Sequence, residues 1–472
     1  LLDLSKSNKR VKFMIRNEQK LMTSKRRSTR AKNESLKTEF RDRLIGPTIK
    51  NALNIPFYRD FWKGIPADKI KTTGDLALLP LIDKALYQER YESDLPPGKM
   101  PSIVSHSTGT TGRMSFRFRS SEEIEYNWAF FDSVREKTCS TIKQIPLMLS
   151  VTGNYHGGKF PMPGNSYSME AGVGDESELR QVHYLLQKTF NIPGLAPRIT
   201  QIQASLDAIK LITLTLLEEG IQPSSLNIRV IVTTGEYVSP AWEKFIEETW
   251  RAKLINRYSL SEIFGGATRC SLCDSYHFDS HVVAEIVDPF THLPIKTGVG
   301  VLVLSELYPF VQYQPLIRYL TGDLAEVTQS VCEPHGLSVK LIGRLSNSVV
   351  DPGKEPAVLI PPTALHDVFD ELPEIARELE FTHIPGLSNY EFGQPKAAWK
   401  TDQKEGGPLE VTISAGATFN VRYHRERVLR LEKIIYDELR SRLPVLKKRI
   451  EKGFCELRIR IVDRSALASL DY

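Results

Sequence analysis

The stretch SHSTGTTGRMSF, Ser105–Phe116, contains the residue types that grip a phosphate. Gly109 and Gly112 let the backbone approach an anion closely, while Ser107, Thr108, Thr110 and Thr111 add hydroxyl donors and Arg113 a positive charge. The same composition suits a hydroxyl-rich hairpin loop, and the stretch alone leaves both readings open. No GK[ST] closes it, which argues against a generic P-loop NTPase.

A second group of reactive side chains lies in RCSLCDSYHF and SVCEPHG. Cys270 and Cys273 have the spacing with which two thiolates bind one tetrahedral zinc, with His277 four residues on and Cys332 as a distant fourth ligand. His281 and His335 are substitute ligands. Coincidental buried cysteines and redox chemistry are the other readings. A closed four-ligand site would be structural and would not activate water.

The elements that must position such groups follow from pattern. IRVIVTTGEYVSP reads as a buried parallel strand, Ile228–Val232, breaking into a loop at Thr233, and a ligand in an α/β sheet sits at such a strand end. A strand-to-helix turn by itself would need only Gly235. The pattern from Ser35 to Arg59 suggests a helix ending near the Pro56 turn, and helices are also expected over Glu122–Arg135, Leu206–Glu219 and, highly charged, Arg425–Lys452. The order strand, strand, helix, strand after Arg344 suggests a compact α+β unit. The loop YHGGKFPMPGNSY follows a short strand-like run and either lines a pocket or caps a sheet.

At 472 residues, with 41% hydrophobic and 25% charged residues, the chain suits a soluble globular protein of two or more domains. No apolar run is long enough to span a bilayer, no secretory signal is visible, and five scattered cysteines argue for a reducing compartment, so a cytoplasmic enzyme is expected. The net charge of +5 is uneven. Leu1–Lys32 holds eleven Lys or Arg against Asp3 and Glu18, a net +9, leaving −4 for the remainder. Such an arm can touch nucleic acid or an anionic membrane, but Val11, Met14, Ile15, Leu21 and Met22 recur at helical spacing, which favours a solvated helix with one docking stripe.

Several phrases in order resemble the phenylacetate-CoA ligase-like branch of the adenylate-forming (acyl/aryl-CoA synthetase) superfamily. NIPFYRDFW and GDLALLPLIDKALYQERY resemble its opening; STGTTGRMS resembles its phosphate loop, with Arg113 for Lys and Met114 for Pro. LINRYSLSEIFGG is similar to its Y-G-x-[ST]-E phrase, with Ser259 for Gly, and YQPLIRYLTGDLAEV to P-L-I-R-Y-x-T-G-D-L. KLIGRLSNSVV resembles the G-R-x-x-D hinge, with Asn347 for Asp.

The resemblance implies an α/β fold with a large multi-sheet domain, residues 35–343, after a basic helical arm, 1–34, and before a small α+β lid, 344–472. It implies that a carboxylic acid, by default a small aromatic one, is activated by ATP to an acyl-adenylate and passed to the thiol of coenzyme A or of a carrier-protein pantetheine. Ser107 to Arg113 would hold the β and γ phosphates. Gly235, Glu236 and Tyr237 would lie against adenine, and Tyr258 would stack on it. Ser261 would hold the α-phosphate, Glu262 Mg²⁺, Asp323 the ribose hydroxyls, and Arg344 ribose or phosphate. Tyr155, His156, Phe160 and Tyr167 are expected nearest the acid. Expected partners are the small acid and possible acyl carrier protein, with no nucleic acid, in a monomer or homodimer. The family's closing L-P-R-x-x-x-G-K phrase is not found, with SALASLDY following Arg464, and Lys448, Lys452, Arg458, Arg460 or Arg464 stand as substitutes. That departure and Asn347 keep a nucleotide- or adenylate-binding protein with impaired adenylation as an alternative. Transfer to an amine, alcohol or protein acceptor is another.

Overall fold

The structure, a computed structural model, describes residues 30–92, 94–96, 100–106, 115–127, 147–152, 167–329, 337–353, 355–380, 394–397, 399–404 and 408–468. The chain enters through helix α1, Arg30–Ala52. It ends four residues before Pro56, close to the expected turn, and a new short helix, Pro56–Phe61, starts on Pro56 at its first position, where proline's missing N–H breaks no helical bond.

Among the described residues, eleven strands form one mixed sheet in the order β10-β11-β12-β13-β9-β8-β7-β6-β5-β3-β4. The parallel half comprises β4 (Tyr167–Gly172), β3 (Leu147–Thr152), β5 (Gln201–Ala204), β6 (Val230–Thr234) and β7 (Lys253–Ser259). From β7 onward pairing is antiparallel, through β8 (Gly266–Arg269), β9 (Tyr276–Phe278), β13 (Ser338–Arg344), β12 (Tyr319–Thr328), β11 (Gly298–Glu306) and β10 (Val282–Val287). A separate hairpin joins β1 (Ile103–His106) to β2 (Phe116–Arg119), with His106 opposite Phe116.

The two halves serve separate cores. The parallel half packs under helices α2 (Glu176–Gln187), α3 (Leu206–Glu218) and α4 (Pro240–Trp250). Helix α3 is buried from Leu206 through Thr213, where Leu, Ile and Ala fill most positions and the buried Asp207 and Lys210 pair with each other, and Ser205 caps it by accepting from the Ala208 amide. The antiparallel half packs against α1 and the aromatic segment that follows, with Phe57, Tyr58, Tyr87 and Tyr91 in edge-on and stacked contact. The strand expected at Ile228–Val232 runs Val230–Thr234, two residues later, in register with β5 and β7.

A third core lies beyond Arg344. The hairpin β14 (Val349–Asp351) and β15 (Ala357–Ile360), helix α5 (Pro362–Phe369) and a three-stranded sheet, β18 (Trp399–Lys404), β19 (Leu409–Ala417) and β20 (Cys455–Asp463), enclose it. β19 and β20 run parallel. The charged crossover between them is two helices, α6 (Arg425–Arg442) and α7 (Pro444–Glu451), because Pro444 ends the first run and opens the second. Among the described residues, no helix is long and apolar enough to cross a membrane.

His281 is fully buried, with its Nε2 3.2 Å from the Phe264 carbonyl oxygen and its ring against Phe310. Burial pushes it down to about 4, so the unfolded chain, with a histidine near ~6.5, takes the proton first. Stability is therefore lost as pH falls from ~6.5 toward about 4, by about 3 kcal/mol over the window. The pH dependence of the urea midpoint checks this: His281→Gln should flatten the decline between those limits, whatever it does to stability at pH ~7.

Candidate active site

The carboxyl ends of β6 and β7 lie side by side and carry two of the expected phrases. The hydroxyls of Thr234 and Ser259 are 2.8 Å apart across this junction. Gly235 follows at φ 90°, a left-handed conformation that a residue with a Cβ rarely adopts, so the chain can leave β6 sharply. Glu236 then points at helix α3, its carboxylate accepting from the Asp207 amide at 3.0 Å, where it also complements the positive helix end. Tyr237 turns toward the C-terminal unit and donates to Asp367 Oδ1 at 2.8 Å, and Ser239 donates to Asp370 Oδ2 at 2.7 Å. Gly235, Glu236 and Tyr237 thus tie the strand end to α3 and to α5.

Three expected residues from distant parts of the chain meet around one carboxylate. Tyr258, near the end of β7, donates to Asp323 Oδ2 at 2.7 Å, and Arg344 Nε lies 3.3 Å from Asp323 Oδ1. Strand pairing sets this up, because Asp323 on β12 and Arg344 at the end of β13 are register partners. Gly322 has φ 79°, and the Thr321 hydroxyl donates to the Leu302 carbonyl while accepting from the Asp323 amide, so the turn presenting Asp323 is pinned. Burial raises the Asp323 carboxyl above its ordinary range, against the pull of Arg344 and the Tyr258 hydrogen bond. Burial and the same carboxylate hold the Tyr258 hydroxyl well above its usual value. Asp323 has two oxygens with further acceptor capacity for a diol.

Glu262 is 7% exposed and accepts from the Ser261 hydroxyl at 3.1 Å. Burial raises both the Asp323 carboxyl and the Tyr319 hydroxyl, and the Glu262 charge pushes both in the same direction. The turn holding it is fixed on its far side, where the Phe264 amide donates to Glu306 and the Gly266 amide to Asp279. A buried carboxylate with a hydroxyl beside it is a suitable hard-oxygen ligand for a divalent cation.

Cys270, Cys273 and His277 also come together. The hairpin between β8 and β9 brings their ligand atoms within 4.8 Å of one another, with Cys273 Sγ 3.1 Å from His277 Nε2. Arg269 pairs with Asp274 and Glu243, and Lys340 with Asp274, around the same turn. His281, the substitute ligand from sequence, is directed to Phe264 and stands outside this trio.

Ser107, Thr108, Gly109, Thr110, Thr111, Gly112 and Arg113 lie outside the described residues, as do Tyr155, His156, Phe160, Cys332 and His335; of Tyr167 only the backbone is described. The ends of the hydroxyl-rich segment are nonetheless fixed by the antiparallel pair His106 and Phe116. Hairpin topology and a phosphate-gripping composition are therefore compatible. Sequence reasoning overlooked Arg117, Arg119 and Glu306, which are buried beside the site. The available signal was the alternation in SFRFRS, which puts both arginines on one face of β2, and that face is the buried one.

No protein-family model matches the chain. It is 25% identical over 371 residues to phenylacetate-coenzyme A ligase of Thermus thermophilus, covering 73% of this chain and 77% of that protein. Among solved structures it resembles 2-hydroxyisobutyryl-CoA ligase in an open conformation with 2-HIB-AMP and CoA, at TM-score 0.62 and 15% identity, over 95% of this chain and 94% of that one. The postadenylation state of that ligase with 2-HIB-AMP matches at TM-score 0.61 and 16% identity, over 93% and 90%. The chain is a sequence relative of phenylacetate-coenzyme A ligase and has the fold of the adenylate-forming acid–CoA ligases.

Proposed function

We propose that this protein is an AMP-forming acid–thiol ligase. A carboxylate oxygen attacks the α-phosphorus of ATP, the bond to the β-phosphate breaks, and pyrophosphate leaves with the electron pair. A thiolate then attacks the acyl carbon, and AMP leaves as the thioester forms. The observation that carries this reading is the meeting of Tyr258 and Arg344 at the half-buried Asp323 carboxylate, with the Glu262 charge acting on the same group.

Asp323 accepts from the ribose hydroxyls, Tyr258 keeps it aimed, and Arg344 answers its charge. Ser261 and Glu262 face the phosphates. Mg²⁺ bound by Glu262 supplies charge neutralisation at the phosphates. The hydroxyls and amides of residues 107–113 take the β and γ phosphates. Displacement at phosphorus requires alignment and charge stabilisation more than proton transfer. The acid is a small aromatic carboxylate, a reading supported by the phenylacetate-coenzyme A ligase relative. The acceptor is coenzyme A, with a carrier-protein pantetheine as the other thiol of the same chemistry.

Cys270, Cys273 and His277 form a structural zinc site, with Cys332 as fourth ligand. The donor set fits, since two thiolates and an imidazole within 4.8 Å match tetrahedral zinc.

Pyrophosphate exchange across a panel of acids tests the reading; it requires acid-dependent exchange, strongest with an aromatic acid. Asp323→Ala should raise the KM for ATP about 10- to 100-fold with folding intact, because a charged acceptor is lost. Unchanged exchange kinetics would remove the ribose assignment. Glu262→Gln should lower turnover about 100-fold and shift the Mg²⁺ requirement upward.

Ribose donors favour ionised Asp323, so nucleoside binding releases a proton near its raised pKa. Adenosine, which lacks phosphates, should bind more weakly as pH falls through that range, and Asp323→Asn should abolish the dependence in calorimetric titration. For zinc, metal analysis of untagged protein should give about one per chain. Cys273→Ser should lower the melting temperature while turnover stays within about threefold.

A further inference from the structure

A buried charge cluster joins the site's separate phrases, and none of those phrases contains it. Arg117 and Arg119 on β2 are 1% and 2% exposed, and Glu306, the last residue of β11, is 1% exposed. Glu306 Oε2 accepts from Arg117 Nη2 at 2.9 Å and from the Leu316 amide at 2.9 Å. Glu306 Oε1 accepts from the Phe264 amide at 2.7 Å, with Arg119 Nη1 4.0 Å away. The Arg119 guanidinium lies over the Phe264 ring, 4.5 Å from its centroid, so Arg119 reaches that turn directly and Arg117 reaches it through Glu306.

Each donor to Glu306 stands for one part of the site. Phe264 is two residues beyond Glu262. Leu316 lies on the segment that leads into β12 and Asp323. Arg117 follows Phe116, the residue that closes the hairpin around 107–115. Further bonds stiffen this hairpin: the Tyr87 hydroxyl donates to the Phe116 carbonyl, and Gln314 Oε1 accepts from the Phe118 amide at 3.2 Å. A buried carboxylate that loses one of its three donors has no water to replace it, so the three segments have little freedom to slide.

We propose that Glu306 is a positioning residue for adenylation, which with Arg117 and Arg119 sets the spacing between the β1–β2 hairpin and the Glu262 turn. It touches no substrate. The residues that hold the phosphates and the residue that holds the cation must be in register for in-line displacement, and Glu306 is the side chain that both ends share. The inference rests on the ligase reading and adds to it a residue that the nucleotide motifs do not include.

The test compares Arg117→Met/Arg119→Met/Glu306→Leu with wild type, and Glu306→Gln and Arg117→Met alongside. Replacing all three buried charges by apolar groups leaves no stranded charge in the cluster, so the triple variant remains folded even if either single variant does not. Expected for the triple variant is a cooperative melt, pyrophosphate exchange reduced about 100-fold through kcat with the KM for the acid unchanged, and transfer from supplied acyl-adenylate to thiol within about threefold of wild type. Mg·ATP should bind about tenfold more weakly, whereas adenosine, held at Asp323, should bind as in wild type. Wild-type kcat for exchange in the folded triple variant would overturn the proposal, and so would an equal fall in both half-reactions. If wild type binds Mg·ATP but exchanges with no acid, the ligase reading fails. The paired Mg·ATP and adenosine affinities then decide the positioning role alone: equal loss of both, or loss of neither, overturns it.

Discussion

Three segments around the candidate site converge on one buried carboxylate. Glu306 sits at the end of a buried strand and receives a guanidinium and two backbone amides. Stranding one member of such a pair costs about 3–5 kcal/mol, whereas exchanging the whole pair for apolar groups is often neutral. Its physical effect is therefore better measured in geometry than in stability. Hydrophobic contacts would hold β2 against the antiparallel core with comparable strength, but they would tolerate sliding; directed bonds to two carboxylate oxygens do not.

The large sheet explains why the site forms where it does. β7 is parallel to β6 on one side and antiparallel to β8 on the other, so the loops leaving both β6 and β7 emerge at one place. The antiparallel half then delivers Asp323 and Arg344 as cross-strand partners. Tyr258 links the halves through its hydrogen bond to Asp323. Burial raises the Asp323 carboxyl and the neighbouring cation and hydroxyl pull it back, so the site has a carboxylate whose solvation is incomplete until further donors arrive.

The same loop reaches the C-terminal unit. Tyr237 and Ser239 donate to Asp367 and Asp370, one helical turn apart at the end of α5 and just beyond it. Burial raises the Asp367 carboxyl, and the Tyr237 hydroxyl partly offsets this. Contact between the units is thus made at a strand-end loop of the candidate site through polar side chains, and also through an apolar cluster in which Leu345 and Val358 pack against Val287, Val301, Val303 and Leu324.

The sequence by itself determined the fold class, the family resemblance and the local signals. Apolar strands such as IRVIV, the Leu- and Ile-rich α3 and the turn glycines Gly235 and Gly322 are legible because backbone sterics and hydrophobic periodicity act over a few residues. Motif order likewise pointed to Tyr258, Glu262, Asp323 and Arg344, and the C-x-x-C spacing to Cys270, Cys273 and His277. Helix ends were legible only in part: Arg425–Lys452 splits at Pro444, whereas α1 stops at Ala52, close to the turn expected at Pro56. Only the tertiary structure decided that Glu236 serves helix α3, that Tyr237 faces Asp367, that His281 turns away from the cysteines, and that Arg117, Arg119 and Glu306 are buried together. The physical reason is that a charged side chain looks solvated in a sequence. Whether it is buried depends on a partner that, for Arg117 and Glu306, lies 189 residues away.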